Sequence, residues 1–139
     1  MERLLLVVLA SFVFLQANAQ LTPFEKSSDK NYTATYPEII AFYQKLAKLF
    51  PRQMKMISYG TTDVGKPLSL IVLSKSGVFD PAAIKKQNKR VLLINNGIHP
   101  GEPEGIDASM MLTRDLLKNN KLPNDLVLCL LPCTISMAV

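Results

Sequence analysis

Apolar residues recur at helical spacing between positions 35 and 51 and then in short unbroken runs, and the change of period predicts the elements of the chain. Thr35 stands as an N-cap with Glu38 three residues on, the pairing of a capping box. Pro37 falls in the first turn, where its missing N–H does no harm. Ile39, Phe42, Tyr43, Leu46, Leu49 and Phe50 then follow on one helical face until Pro51 stops the run. Met54–Tyr59 and Leu68–Leu73 read as strands, joined into an antiparallel hairpin by the turn-forming stretch Gly60–Lys66. Ser76–Asn88 reads as a polar connection, and Val91–Ile94 as a continuous apolar run of the kind found in strands covered on both faces. Gly105–Asn119 carries Ile106, Met110, Leu112, Leu116 and Leu117 at the spacing of a helix packed on a sheet. Leu126–Leu131 is a second interior strand, and Gln20–Ala34 a polar lead-in with little structure of its own.

An apolar strand, a helix and another apolar strand in succession imply a right-handed parallel crossover. With the hairpin added, the fold class is α/β, a mixed β-sheet with flanking helices. Two helices are too few to cover both faces of such strands, so the pattern reads as the front part of a larger domain. The first residues stand apart: Met1-Glu2-Arg3 is a charged start, Leu4–Leu15 is almost wholly apolar, and Ala17-Asn18-Ala19 supplies small residues for cleavage. That order is a secretory signal, and its apolar core is shorter than the ~20 residues of a membrane span. Residues 1–19 are therefore expected to be a signal peptide cut after Ala19, leaving 20–139 secreted or periplasmic.

Composition narrows the classes. The 139 residues are 48% hydrophobic and 19% charged, values of one ordinary folded domain and not of a disordered chain. The net charge of +5 has its densest patch at Lys85, Lys86, Lys89 and Arg90, with no aromatic interleaved, which fits a solvated loop and gives no nucleic-acid partner. Cys129 and Cys133 in an extended segment would lie ~13 Å apart, too far for a disulfide, and Cys129 fits a small buried apolar residue.

The candidate chemistry is in Asn95-Asn96-Gly97-Ile98-His99-Pro100-Gly101-Glu102-Pro103-Glu104-Gly105, between a strand end and a helix start. Ligands of open α/β sheets sit beyond the carboxyl ends of the strands. Gly and Pro hold such a loop to one path, and a spacing of three can converge the only histidine of the chain, His99, with Glu102 on one point. Zn²⁺ accepts both donor types. Two ligands do not make a site, however, and a single imidazole at a strand end serves equally as a hydrogen-bonding group; the spacing leaves both readings open.

This stretch resembles the first zinc-binding motif, His-x-x-Glu, of the zinc carboxypeptidases related to carboxypeptidase A. Thr35-Tyr36-Pro37-Glu38 with its helix, and Tyr59-Gly60-Thr61-Thr62 through Gly65-Lys66-Pro67-Leu68, are similar to the lead-in of the secreted bacterial members. The resemblance runs from about Tyr36 to Pro132. It implies the N-terminal part of a carboxypeptidase-like (phosphorylase/hydrolase-like) domain, a bound Zn²⁺, and His99 and Glu102 as its first two ligands. It also implies a metallocarboxypeptidase-type hydrolase acting on the C-terminal residues of a peptide or protein substrate. The family's second histidine, catalytic Glu, carboxylate-binding Arg and substrate-covering Tyr match nothing in this sequence, so no catalytic residue is assigned. Glu104 fits better as a carboxylate at a helix N-terminus. Two alternatives stand beside this: a zinc amidohydrolase of the aspartoacylase-like deacylase type, which shares an H-x-x-E start, and a non-catalytic secreted domain with a structural His99.

After Pro132 the family continues with a segment resembling Val-Tyr-Asn-Ile-Asp-Gly, where this chain has Cys133 to Val139. Codons for Thr-Ile-Ser-Met-Ala can read Tyr-Asn-Ile-Asp-Gly in a shifted frame, so a frameshift near Cys133 is the expectation, and with it a truncated chain that is inactive alone.

Overall fold

A computed structural model describes residues 20–62, 64–99 and 101–134. The signal-peptide reading of 1–19 and most of the segment on which the frameshift expectation rests, 133–139, lie outside the described residues. Among the described residues there are four helices, α1 (Pro23–Lys26), α2 (Tyr36–Leu49), α3 (Pro81–Lys86) and α4 (Glu104–Lys118), and four strands, β1 (Met54–Thr61), β2 (Pro67–Ser74), β3 (Arg90–Asn95) and β4 (Leu126–Leu131), in the order α1-α2-β1-β2-α3-β3-α4-β4. The strands form one mixed sheet in the order β1-β2-β4-β3.

Local chemistry sets the elements. The Glu38 carboxylate accepts from the Thr35 N–H at 2.9 Å and from its hydroxyl at 2.8 Å, closing the start of α2. β1 and β2 pair antiparallel from Met54↔Leu73 to Ser58↔Ser69, and the register then slips before Thr61, where Gly60 has φ +129°. β3 pairs parallel with β4 from Arg90↔Leu126 to Asn95↔Leu131, the expected crossover through α4. β4 also pairs antiparallel with β2, so it is the strand that joins hairpin to crossover.

Both long helices lie on one face of this sheet. Ile39, Phe42, Tyr43 and Leu46 of α2 and Ile106, Met110 and Leu117 of α4 are buried with Met54, Ile71, Leu73, Leu128 and Leu130. The other face has a small cluster, Val72 and Val127 with Ile84 of α3.

Three expectations are corrected here. Among the described residues β3 is not covered on both faces: it stands at the edge of the sheet, and Val91, Leu92 and Leu93 are 57%, 48% and 56% exposed. The Ser76–Asn88 connection contains α3, capped by Asp80, whose side chain accepts from Ala83 N–H at 2.8 Å. The lead-in is structured as well, because Thr22 and Glu25 form a reciprocal capping box for α1 and Thr22 and Ala34 are fully buried. Cys133 is buried in the main core, and neither cysteine is in a disulfide.

Candidate metal centre

The loop that carries the motif is fastened at its root. Asn96 prolongs the ladder by donating its N–H to Leu131 O at 3.0 Å, and its carbonyl accepts from the Thr134 N–H at 3.1 Å. The buried Asn96 side chain donates through Nδ2 to Ser109 Oγ of α4 at 2.9 Å. Two glycines are required by this arrangement. Gly97 has φ +58°, and a Cβ there would lie 3.3 Å from Cys133 Sγ and Ile106 Cδ1; a Cβ on Gly105 would meet Asn96 Oδ1 at 2.8 Å. Strand end, loop root and helix start are thereby held as one unit.

From this root His99 and Glu102 project outward and meet. His99 Nδ1 and Glu102 Oε2 are 3.2 Å apart, with side chains 69% and 65% exposed. Two donors on a tetrahedral Zn²⁺ at ~2.0–2.1 Å are themselves separated by ~3.3 Å, so the observed spacing fits a shared metal as well as a direct hydrogen bond. The donor chemistry, one imidazole nitrogen and one carboxylate oxygen, is that of zinc. Among the described residues no third His, Cys, Asp or Glu joins them. Glu104 is the first residue of α4, where its charge meets the positive end of the helix.

Asn96, Ser109 and Asp107 were not singled out from the sequence. The pair of asparagines closing an apolar strand is a signal for the first of these, and the others are visible only once α4 is packed. Asp107 is buried with Oδ1 unpartnered, and burial first, then the neighbouring Glu104 carboxylate, pushes its carboxyl up to about 6. The folded chain therefore keeps this proton where the unfolded chain has lost it. The stability from the neutral carboxyl is full below about pH 4 and falls as pH rises through about 6. Asp107→Asn is expected to raise the unfolding free energy by about 1 kcal/mol at pH 7, solvent screening at the helix end taking part of the full linkage value. Thermal melts at pH 7 and pH 4 check this, and the gain should vanish at the lower pH.

The zinc carboxypeptidase (peptidase M14) family model matches residues 39–134, and this chain belongs to that family. No curated protein is similar enough in sequence to rank as a relative. Among solved structures, carboxypeptidase A from Helicoverpa armigera is similar over 89% of this chain and 31% of its own, at 19% identity and a TM-score of 0.64. Bovine thrombin-activatable fibrinolysis inhibitor, in complex with a tick carboxypeptidase inhibitor, is similar over 73% and 31%, at 16% identity and 0.60. A metallo-carboxypeptidase from Burkholderia cenocepacia is similar over 70% and 26%, at 21% identity and 0.56. These likenesses establish the carboxypeptidase fold, and this chain spans between 26% and 31% of the length of these three.

Proposed function

We propose that this chain carries the first two zinc ligands, His99 and Glu102, of an exported metallocarboxypeptidase-type hydrolase that removes C-terminal residues from peptides. The observation that carries the reading is the 3.2 Å approach of His99 Nδ1 and Glu102 Oε2 on a braced loop beyond the carboxyl end of β3. A zinc ion held there would supply Lewis acidity toward a peptide carbonyl and lower the pKa of a bound water. His99 and Glu102 hold the ion; Asn96, through Ser109 and the space left by Gly105, keeps the loop from yielding. Family membership supports zinc as the metal. Peptide or protein as the substrate class is supported by the carboxypeptidase neighbours, one of them in complex with a protein inhibitor. The sequence of Met1–Ala19 supports export.

Since His99 is the single histidine of the chain, the 139 residues offer no His₂Glu set. The purified chain is accordingly expected to bind Zn²⁺ weakly and to hydrolyse no peptide at an enzyme-like rate. Equilibrium dialysis against Zn²⁺ tests the site. His99→Ala and Glu102→Gln should each weaken binding by about tenfold or more, one ligand bond being worth well over 1.4 kcal/mol. Unchanged zinc uptake by His99→Ala would remove the basis of the assignment.

A further inference from the structure

Because β3 and β4 run parallel toward the motif loop, the starts of β1, β3 and β4 and the ends of β2, α2 and α4 lie at the other end of the sheet. There the turns at 50–53 and 74–77 border an open groove of about 970 Å³, lined by Arg52, Lys55 and Lys75 together with Phe50, Gln53 and Asn120. Its shape is fixed by a close approach: Gly77 has φ +70°, and a Cβ there would lie 2.6 Å from Arg52 O. Lys89 adjoins the groove by donating to Ser76 Oγ at 2.7 Å.

The positive charge here is not cancelled. Lys75 donates to the Asn120 carbonyl at 2.7 Å and Lys55 lies 4.9 Å from the centre of the Phe79 ring, both neutral partners. The carboxylates nearest this end have partners of their own: Asp80 caps α3, Asp115 and Glu25 hold Arg114, and Asp125 pairs with Arg90, with the charge of Lys89 also acting on it. Among the described residues no ion pair joins Arg52, Lys55, Lys75 or Lys89 to a carboxylate. Lys48, Lys85, Lys86 and Lys118 stand in last turns of helices, where the dipole accounts for them. That explanation does not reach Arg52, Lys55 or Lys75, which lie outside the helices. The carboxylates Glu38, Glu102, Glu104 and Asp107 are at the opposite end, so the molecule is polarised along its strands.

We infer that this groove is a binding surface for an acidic polysaccharide, independent of the zinc reading. A chain of repeated carboxylates or sulfates is the charge complement of a groove lined by Arg52, Lys55 and Lys75. Nucleic acid fits less well, because the groove offers no ring for base stacking: Phe79 is covered by Lys55, and Phe50 packs into the core.

The probe is an oligogalacturonate titrated into the purified chain at low ionic strength, with neutral dextran as the blank. Arg52→Gln/Lys55→Gln should weaken binding by about tenfold, and Arg52→Gln alone, in an exposed turn, by a smaller factor in the same direction. Lys26→Gln/Lys66→Gln removes the same charge at the other end; it also takes a lysine off a ring, since Lys66 lies over Tyr36, and should leave binding within twofold. Equal losses in the two double variants would mean net charge alone is read, and would overturn the site. So would absence of oligogalacturonate binding, or tighter binding to duplex DNA.

Discussion

Arg114→Ala is expected to lower the unfolding free energy by about 3 kcal/mol, a large fraction of what holds a domain of this size together. The Arg114 side chain is only 14% exposed. Its guanidinium pairs with Glu25, donates to Gln20 O at 3.2 Å and holds Asp115 at 2.8 Å. Those bonds pin the segment 20–34 against α4, 89 residues away from Glu25 in sequence. Burial raises the Glu25 carboxyl, but the bonds from Arg114 and Thr22 together outweigh it and leave the group below its ordinary value. Removing the guanidinium leaves that half-buried carboxylate with its desolvation and without its partner, which is why the loss exceeds that of a surface pair. A group with a depressed pKa gives stability that is present above the unfolded value and lost as pH falls through the folded one. The gap between wild type and Arg114→Ala in urea denaturation should therefore shrink below about pH 4. Arg114→Lys should recover only part of the loss, because an ammonium cannot hold the three acceptors in the plane that a guanidinium spans. A difference under about 0.5 kcal/mol at pH 7 would place Arg114 among ordinary surface charges.

Arg114 also shows where reading the sequence stops. Features whose partners are near in the chain were legible: the Thr35–Glu38 cap, the stripe from Ile39 to Leu46, the β1–β2 turn, and the convergence of His99 with Glu102. α1 and α3, at four and six residues, are too short to show a helical period, and only their caps, Thr22 and Asp80, announce them. The brace under the candidate site depends on Asn96 reaching Ser109 across the start of α4 and on the space left by Gly105, contacts created by packing. Arg114 depends on partners from the other end of the chain. β3 misled for a different reason: its composition is that of a strand covered on both faces, and its place among the described residues is the edge.

That mismatch sets the second large effect. Leu93→Lys is expected to slow aggregation of the purified chain several-fold while changing its unfolding free energy by no more than about 0.5 kcal/mol. β3 has β4 on one side and no strand on the other among the described residues, so its outer N–H and C=O groups can template another strand. The edge carries side chains that reward such pairing. Val91 and Leu93 stand opposite Val127 and Cys129, on the face where, among the described residues, α3 supplies the helical cover, and both are more than half exposed. Leu92 is 48% exposed even on the face that carries α2 and α4. A lysine at 93 places a charge in the path of an incoming strand while removing little packing, since more than half of that residue is already in water and a lysine stem can lie where the leucine does. The contrast is Leu130→Lys, one strand inward and fully buried, where the same charge has no solvent and the fold should be lost. Light scattering at constant temperature separates the two effects when read beside thermal melts. If Leu93→Lys melts like the wild type and aggregates at the same rate, the adhesive surface is elsewhere and β3 is not the open edge.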